Sequence, residues 1–191
     1  QKFNENKVEN FWGETVKKIN FSNNKIFCET DKEVHTAKLI VGSDGMNSKI
    51  RELSKISYRS WSYNQTAVVA NFKTSINESC IKQTFTSVGP LALLPINDKE
   101  STMIWSIDDD VSYKFLAMSD EEFTSEVVNK FGEQIGELNM ISKRQHFPLH
   151  HLSAKTFSKK GIFLVGDSAH HIHPLAGLGL NSGIGDVICL S

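Results

Sequence analysis

The chain has 191 residues, enough for one large domain or two small ones that bury about 70% of the surface an unfolded chain exposes. Its 39% hydrophobic and 23% charged residues suit a soluble globular protein and are too polar for a membrane span. With 21 Lys and Arg against 22 Asp and Glu there is no global positive field to draw nucleic acid, and three distant cysteines, Cys28, Cys80 and Cys189, form neither a disulfide framework nor a CxxC metal motif. A reducing compartment fits best.

Residues Val16 to Phe21 and Lys25 to Thr30 are β-prone runs separated by Ser22-Asn23-Asn24. Asn pairs tolerate the positive φ of tight turns, so a hairpin is predicted. Val34 to Ala37 adds a third strand. Leu39-Ile40-Val41 is a short apolar run ending in Gly42-Ser43-Asp44-Gly45, the pattern of a buried strand feeding a turn, with Asn47 or Ser48 capping a short helix through Leu53. Thr66 to Thr74, Ile81 to Thr86, Leu91 to Pro95 and Thr102 to Ile107 predict one antiparallel sheet, with Trp61, Phe72, Phe85 and Trp105 read as its core. Ser119-Asp120-Glu121-Glu122 starts a helix to about Phe131, since a hydroxyl cap and first-turn acids suit the helix dipole. Ile141 to Leu149 is read as a strand, and Gly161 to Val165 as a second buried strand ending in Gly166-Asp167. A helix follows Gly179 despite Gly183 and Gly185, which implies a close neighbour.

Both termini read as interruptions. Gln1 opens a polar stretch without a targeting pattern, and Ser191 closes an apolar, Gly-rich run without a stop signal, so the chain is expected to be a fragment. The expected plan is an α/β layer at each end, residues 1–56 and 151–191, with a β-sheet domain, 57–150, between them.

Two segments carry chemistry. Val41 to Arg51 is a strand, an Asp-Gly turn and a helix start, which by itself is also an ordinary structural turn. Gly166 to Asp186, GDSAHHIHPLAGLGLNSGIGD, is longer and more constrained. A carboxylate at the end of a buried strand, Asp167, accepts hydrogen bonds from sugar-like hydroxyls. Gly177 and Gly179 let backbone approach a flat ligand, and the helix that follows presents unpaired N–H groups and partial positive charge to an anion.

These segments resemble the DG and GD motifs of the flavoprotein aromatic hydroxylases, in that family's order. The resemblance implies a Rossmann-like FAD-binding α/β domain with an inserted antiparallel β-sheet substrate domain, and FAD as cofactor. It also implies that Asp167, after Gly166, binds the ribityl chain. Gly177, Leu178, Gly179, Leu180 and Asn181 lie at the flavin ring, Pro174 approaches its face, and Asp44 and Gly45 lie near the pyrophosphate, where NAD(P)H use is also implicated. Trp61 to Ala70, Gln83-Thr84-Phe85, Gly89-Pro90-Leu91-Ala92-Leu93-Leu94-Pro95, Trp105-Ser106 and His171 to Gly177 resemble the hydroxylases of ubiquinone biosynthesis in particular. That implies a polyprenylated phenol or quinone precursor, O₂, and a protein on the cytoplasmic or mitochondrial matrix side, peripheral to a membrane or within a biosynthetic complex. Ser43 and Ser168 replace the family's usual Ala, Leu178 its Gln and Gly185 its Arg. The Gly-x-Gly-x-x-Gly turn for the ADP half is absent from the sequence, so the stretch at hand is expected to bind flavin weakly and to leave an open apolar edge near Leu39 to Val41 and Phe163 to Val165.

Three rival readings rank lower. His150, His151, His170, His171 and His173 with Asp167 lack metal-ligand spacing. Ser168 lacks a nucleophile elbow. A noncatalytic flavin-binding module, or a flavoprotein reductase or halogenase, would use the same fold.

Overall fold

The computed structural model describes residues 8–75 and 80–191. The chain divides into two compact units, one formed by residues up to Ser60 together with His151–Ser191, the other by Trp61–His150.

The first unit opens with an antiparallel three-stranded sheet of β1 (Val16–Ser22), β2 (Lys25–Thr30) and β3 (Val34–Ala37). Ser22 pairs with Lys25, so Asn23 and Asn24 alone make the turn, at φ of 49° and 57°. Two successive positive φ values match the right-handed twist of a hairpin. A hydrogen-bonded clasp closes the opposite end. Thr30 Oγ1 donates to Glu14 (2.8 Å), whose same oxygen meets His35 Nε2 (2.9 Å), and these contacts hold the Glu14 carboxyl below its usual pKa. Strand β4 (Ile40–Gly42) then runs through the Asp44-Gly45 turn into helix α1 (Lys49–Leu53), capped by Ser48 as expected.

The second unit is built on β5 (Tyr58–Thr74), β6 (Lys82–Thr86), β7 (Gly89–Asn97) and β8 (Glu100–Asp108), antiparallel in the order β5-β8-β7-β6. Val68, Ala70 and Phe72 alternate along β5, and Met103, Trp105 and Ile107 along β8, so one face is apolar and buried. Helices α2 (Asp109–Ala117) and α3 (Asp120–Phe131) cover that face with Phe115, Phe123 and Val127. Ser119 and Glu122 close a reciprocal capping box on α3, and the Ser119 contacts hold the Glu122 carboxyl below its usual pKa. A depressed carboxylate adds stability above its unfolded pKa that is lost as pH falls through the folded one. Ser119→Ala removes the cap, and denaturant titration is expected to show a loss of about 1 kcal/mol. A short β9 (Leu138–Met140) pairs with the Phe72–Thr74 end of β5, and β10 (Gln145–Ala154) carries the chain back.

The return segment holds β11 (Ser158–Lys159), β12 (Ile162–Leu164), β13 (His170–His171) and helix α4 (Leu178–Leu190). Strand β12 lies between β11 and β4 and pairs parallel with β4, Phe163 against Val41. Ile50, Ile56, Ala154, Ile162, Leu164 and Ala169 form the core of this unit together with Ile26.

Several sequence expectations are corrected. The strand placed at Ile141 to Leu149 begins at Gln145, because Ile141–Arg144 is committed elsewhere. Ile141 N–H bonds Asn71 O, and the Arg144 guanidinium reaches the Phe115 and Met118 carbonyls and Asp120. Trp61 and Phe85 are not core. They are 50% and 75% exposed, Phe85 because it faces outward on the alternating edge strand β6. Helix α2 and strand β9 were not anticipated, and α4 starts at Leu178 rather than after Gly179. Of the apolar edge expected near Leu39 to Val41 and Phe163 to Val165, Leu39 and Val41 are exposed and Phe163 is half-buried, whereas Leu164 and Val165 are buried.

Candidate functional site

Parallel strands β4 and β12 end side by side, so the two motifs that follow them start from one sheet edge. Ser168 joins them. Its fully buried Oγ donates to the Gly42 carbonyl (2.5 Å) and accepts from Val165 N–H (3.2 Å). A side chain that departs from the family's usual Ala, and that lacks the setting of a nucleophile, is therefore a bridge between the strand ends.

In the first motif Asp44 is committed to the fold. Its Oδ2 accepts from Lys49 N–H (2.7 Å) and Ile50 N–H (3.0 Å), and its Oδ1 from Ser48 Oγ (2.5 Å), which caps α1. Gly45, at φ 79°, has open space where a side chain would point. Arg51, at the end of the first motif, ties the motifs together. It is 4% exposed, donates from Nη1 to Ser168 O (2.8 Å) and from Nη2 to Met46 O (2.6 Å), and stacks on Tyr58. Its Nε has no partner among the described residues. Spacing gives no signal for this role, because one of its two carbonyl partners, Ser168, is distant in the chain.

In the second motif Gly166 to Ser168 form a 3-10 turn, and Asp167 projects outward with its side chain 48% exposed. His171 Nδ1 lies 2.8 Å from Asp167 Oδ2, which orients the carboxylate and leaves Oδ1 for another donor. His170 instead meets Asp186 on α4, so the neighbouring imidazoles serve different carboxylates. His173 begins a second 3-10 turn, Pro174–Ala176, by accepting Leu175 N–H, and burial pushes its pKa down, favouring the neutral ring. Gly177 follows in the left-handed region (φ 60°) and starts α4.

The start of α4 carries no side-chain cap and no first-turn acid. Around Gly177 and Gly179 a side chain would meet open space, and Leu178, Leu180 and Asn181 are exposed, as is Pro174. Free N–H groups, the positive end of a helix dipole and an outward carboxylate thus lie along one stretch, an arrangement that fits a ligand with both hydroxyls and an electron-rich, anion-forming ring. The close neighbour expected for the helical glycines exists for one of them. A side chain at Gly183 would lie 3.3 Å from Gly166 Cα, whereas Gly185 faces open space.

Among the described residues no helix is long and apolar enough to cross a membrane. A family model described as an FAD binding domain matches residues 25–191. The ubiquinone hydroxylase UbiL of Rhodospirillum rubrum is 33% identical over 163 residues, covering 85% of this chain and 38% of that protein. The 3-demethoxyubiquinol 3-hydroxylase of Escherichia coli is 33% identical over 159 residues, covering 83% of this chain and 40% of that protein. The chain thus spans about two fifths of the length of the curated relatives it matches. Among solved structures, the flavin-dependent halogenase CmlS aligns over 95% of this chain and 36% of its own at a TM-score of 0.74 and 15% identity, which speaks for the fold alone. That fold is Rossmann-like, with an antiparallel sheet inserted between its two motif-bearing segments. On a match that takes in both motifs and the sheet between them, this chain belongs to the family of FAD-binding domains.

Proposed function

We propose that the protein hydroxylates the ring of a polyprenylated phenol or quinone precursor in ubiquinone biosynthesis, using FAD, O₂ and electrons from NAD(P)H or another donor. The observation that carries this reading is an outward Asp167 and an uncapped start of α4 within one motif, in a chain 33% identical to two hydroxylases of ubiquinone chemistry. Bound FAD would supply the redox chemistry that activates O₂.

The chain's own residues supply binding and electrostatics. Asp167, steadied by His171, would accept hydrogen bonds from ribityl hydroxyls through its other oxygen. The N–H groups of Leu178, Gly179 and Leu180, which lack intrahelical partners, would face the ring edge where negative charge collects on reduction, with Asn181 closing that first turn. Pro174, with its rigid backbone, would border the ring face, and Gly166 and Gly177 shape the turns that carry these groups. Asp44 acts through the turn it braces, leaving Gly45 backbone free to approach the pyrophosphate. No side chain is needed as a nucleophile.

The lipid tail of the proposed substrate calls for work at a membrane surface, on the cytoplasmic or mitochondrial matrix side, alone or within a biosynthetic complex. The test is turnover by the full-length protein with FAD, NAD(P)H and ¹⁸O₂ on prenylated and unprenylated phenols. One labelled oxygen in the prenylated product is expected. Flavin reduction without oxygenated product would leave a binding module or reductase, and turnover of small phenols alone would point to a catabolic hydroxylase.

A further inference from the structure

We infer that Asp186 is a positioning residue for the flavin site, fixing the start of α4 relative to Asp167 through a single carboxylate oxygen. The inference rests on the flavin-site reading above. Asp186 Oδ2 accepts from Gly166 N–H at 2.8 Å and lies 2.7 Å from His170 Nε2. Both side chains are largely withdrawn from solvent, 17% exposed for Asp186 and 14% for His170. One oxygen therefore gathers three elements: helix α4, the turn that presents Asp167, and strand β13.

Each of those elements is tied onward. His170 pairs across to Ser153 on β10, and its ring packs on Phe157 at 5.5 Å, so its position is set by the body of the unit. Gly166 directly precedes Asp167. On the helix, Gly183 stands three residues before Asp186 and so on the same face, where it comes close to the Gly166 backbone. No described residue of α4 is fully buried, so apolar burial alone does not fix where this helix sits. The lateral setting of α4 depends on Asp186 and Gly183, and with it the aim of the helix start at whatever Asp167 holds. Asp186 touches no part of the open stretch itself. It acts through Gly166 and His170.

The experiment compares Asp186→Ala, Asp186→Asn and Gly183→Ala in the full-length flavoprotein, reading the FAD dissociation constant and the midpoint potential of the bound flavin. Far-UV circular dichroism of each apoprotein serves as the check on folding. Asp186→Ala is expected to weaken FAD binding about tenfold or more, the effect of losing one charge-assisted hydrogen bond, and to move the potential negative because the helix start no longer faces the reduced ring. Asp186→Asn keeps an acceptor for Gly166 N–H and should recover much of both. Gly183→Ala leaves every charge in place, yet it should shift the potential in the same direction by pushing the helix off the turn. Wild-type affinity and potential in Asp186→Ala would overturn the inference. Should that variant fail to fold, wild-type values in both other variants would overturn it equally. Asp167→Ala, run alongside, separates the two readings: if it keeps FAD while Asp186→Ala loses it, the ribityl assignment falls and the role of Asp186 in setting α4 stands.

Discussion

Replacing Asp167 with alanine in the full-length protein is expected to weaken FAD binding by about 10- to 100-fold, so that it purifies largely as apoprotein. The size follows from a hydrogen bond to an ionised acceptor, about 1.5–3 kcal/mol, with about 1.4 kcal/mol per decade of affinity. The carboxylate is half exposed and meets one described side chain, His171, so its removal leaves the core of the unit untouched. A loss of FAD should therefore come without loss of fold. Asp167→Asn keeps a neutral acceptor and should fall between alanine and the native protein. Titration by quenching of flavin fluorescence is the measurement, and unchanged stoichiometric FAD in the alanine variant would remove Asp167 from the site.

The second large effect belongs to Trp105. Its side chain is fully buried on β8, flanked by Val68 and Leu91 on the neighbouring strands and packed edge-on against Phe115 at 4.8 Å and against Phe123 at 6.0 Å. Trp105→Ala empties the space between sheet and helices and is expected to cost about 3–5 kcal/mol. That is a large part of the total stability of a small domain, about 5–15 kcal/mol. The indole Nε1 has no hydrogen-bond partner among the described residues. Trp105→Phe removes that orphan donor along with some volume, so relief of about 1–3 kcal/mol offsets much of its cavity cost. Urea denaturation followed by circular dichroism should therefore rank phenylalanine far closer to the native protein than alanine. Equal losses in the two would mean that the donor is satisfied in solution.

What the sequence made legible was what is decided locally. The Asn23-Asn24 turn and the Ser119 capping box depend on residues within four positions of each other, and both formed where their chemistry predicts. The α4 glycines point to a close neighbour, and Gly183 has one in the Gly166 backbone while Gly185 has none. Features that rest on distant partners were not legible. Arg51 reaches the carbonyl of Ser168, far along the chain, and Asp186 reaches back to Gly166, so neither role could be read from spacing. The start of β10 is a further case, because Ile141 opens a stretch that reads as strand while Arg144 is anchored to the ends of α2 and α3, a contact that local sequence does not show. Trp61 and Phe85 show the same limit from the other side. Size and hydrophobicity suggest burial, but strand register decides which face a ring takes. The Asp-Gly turn was ambiguous for a different reason, since the same carboxylate chemistry serves a ligand and a helix start, and Asp44 serves the helix start.

Because the contacts that tie α4 to the turn before Asp167 are a few polar ones near its middle, its opening free energy is expected to lie near the low end for this unit. A ligand that touches its first turn adds its binding free energy to the closed form and to no other. Part of the intrinsic affinity is then spent ordering the helix, and the measured affinity becomes the product of intrinsic binding and the fraction of molecules with α4 already in place. Substitutions that tighten α4 far from any ligand would raise cofactor affinity without adding a single contact to it.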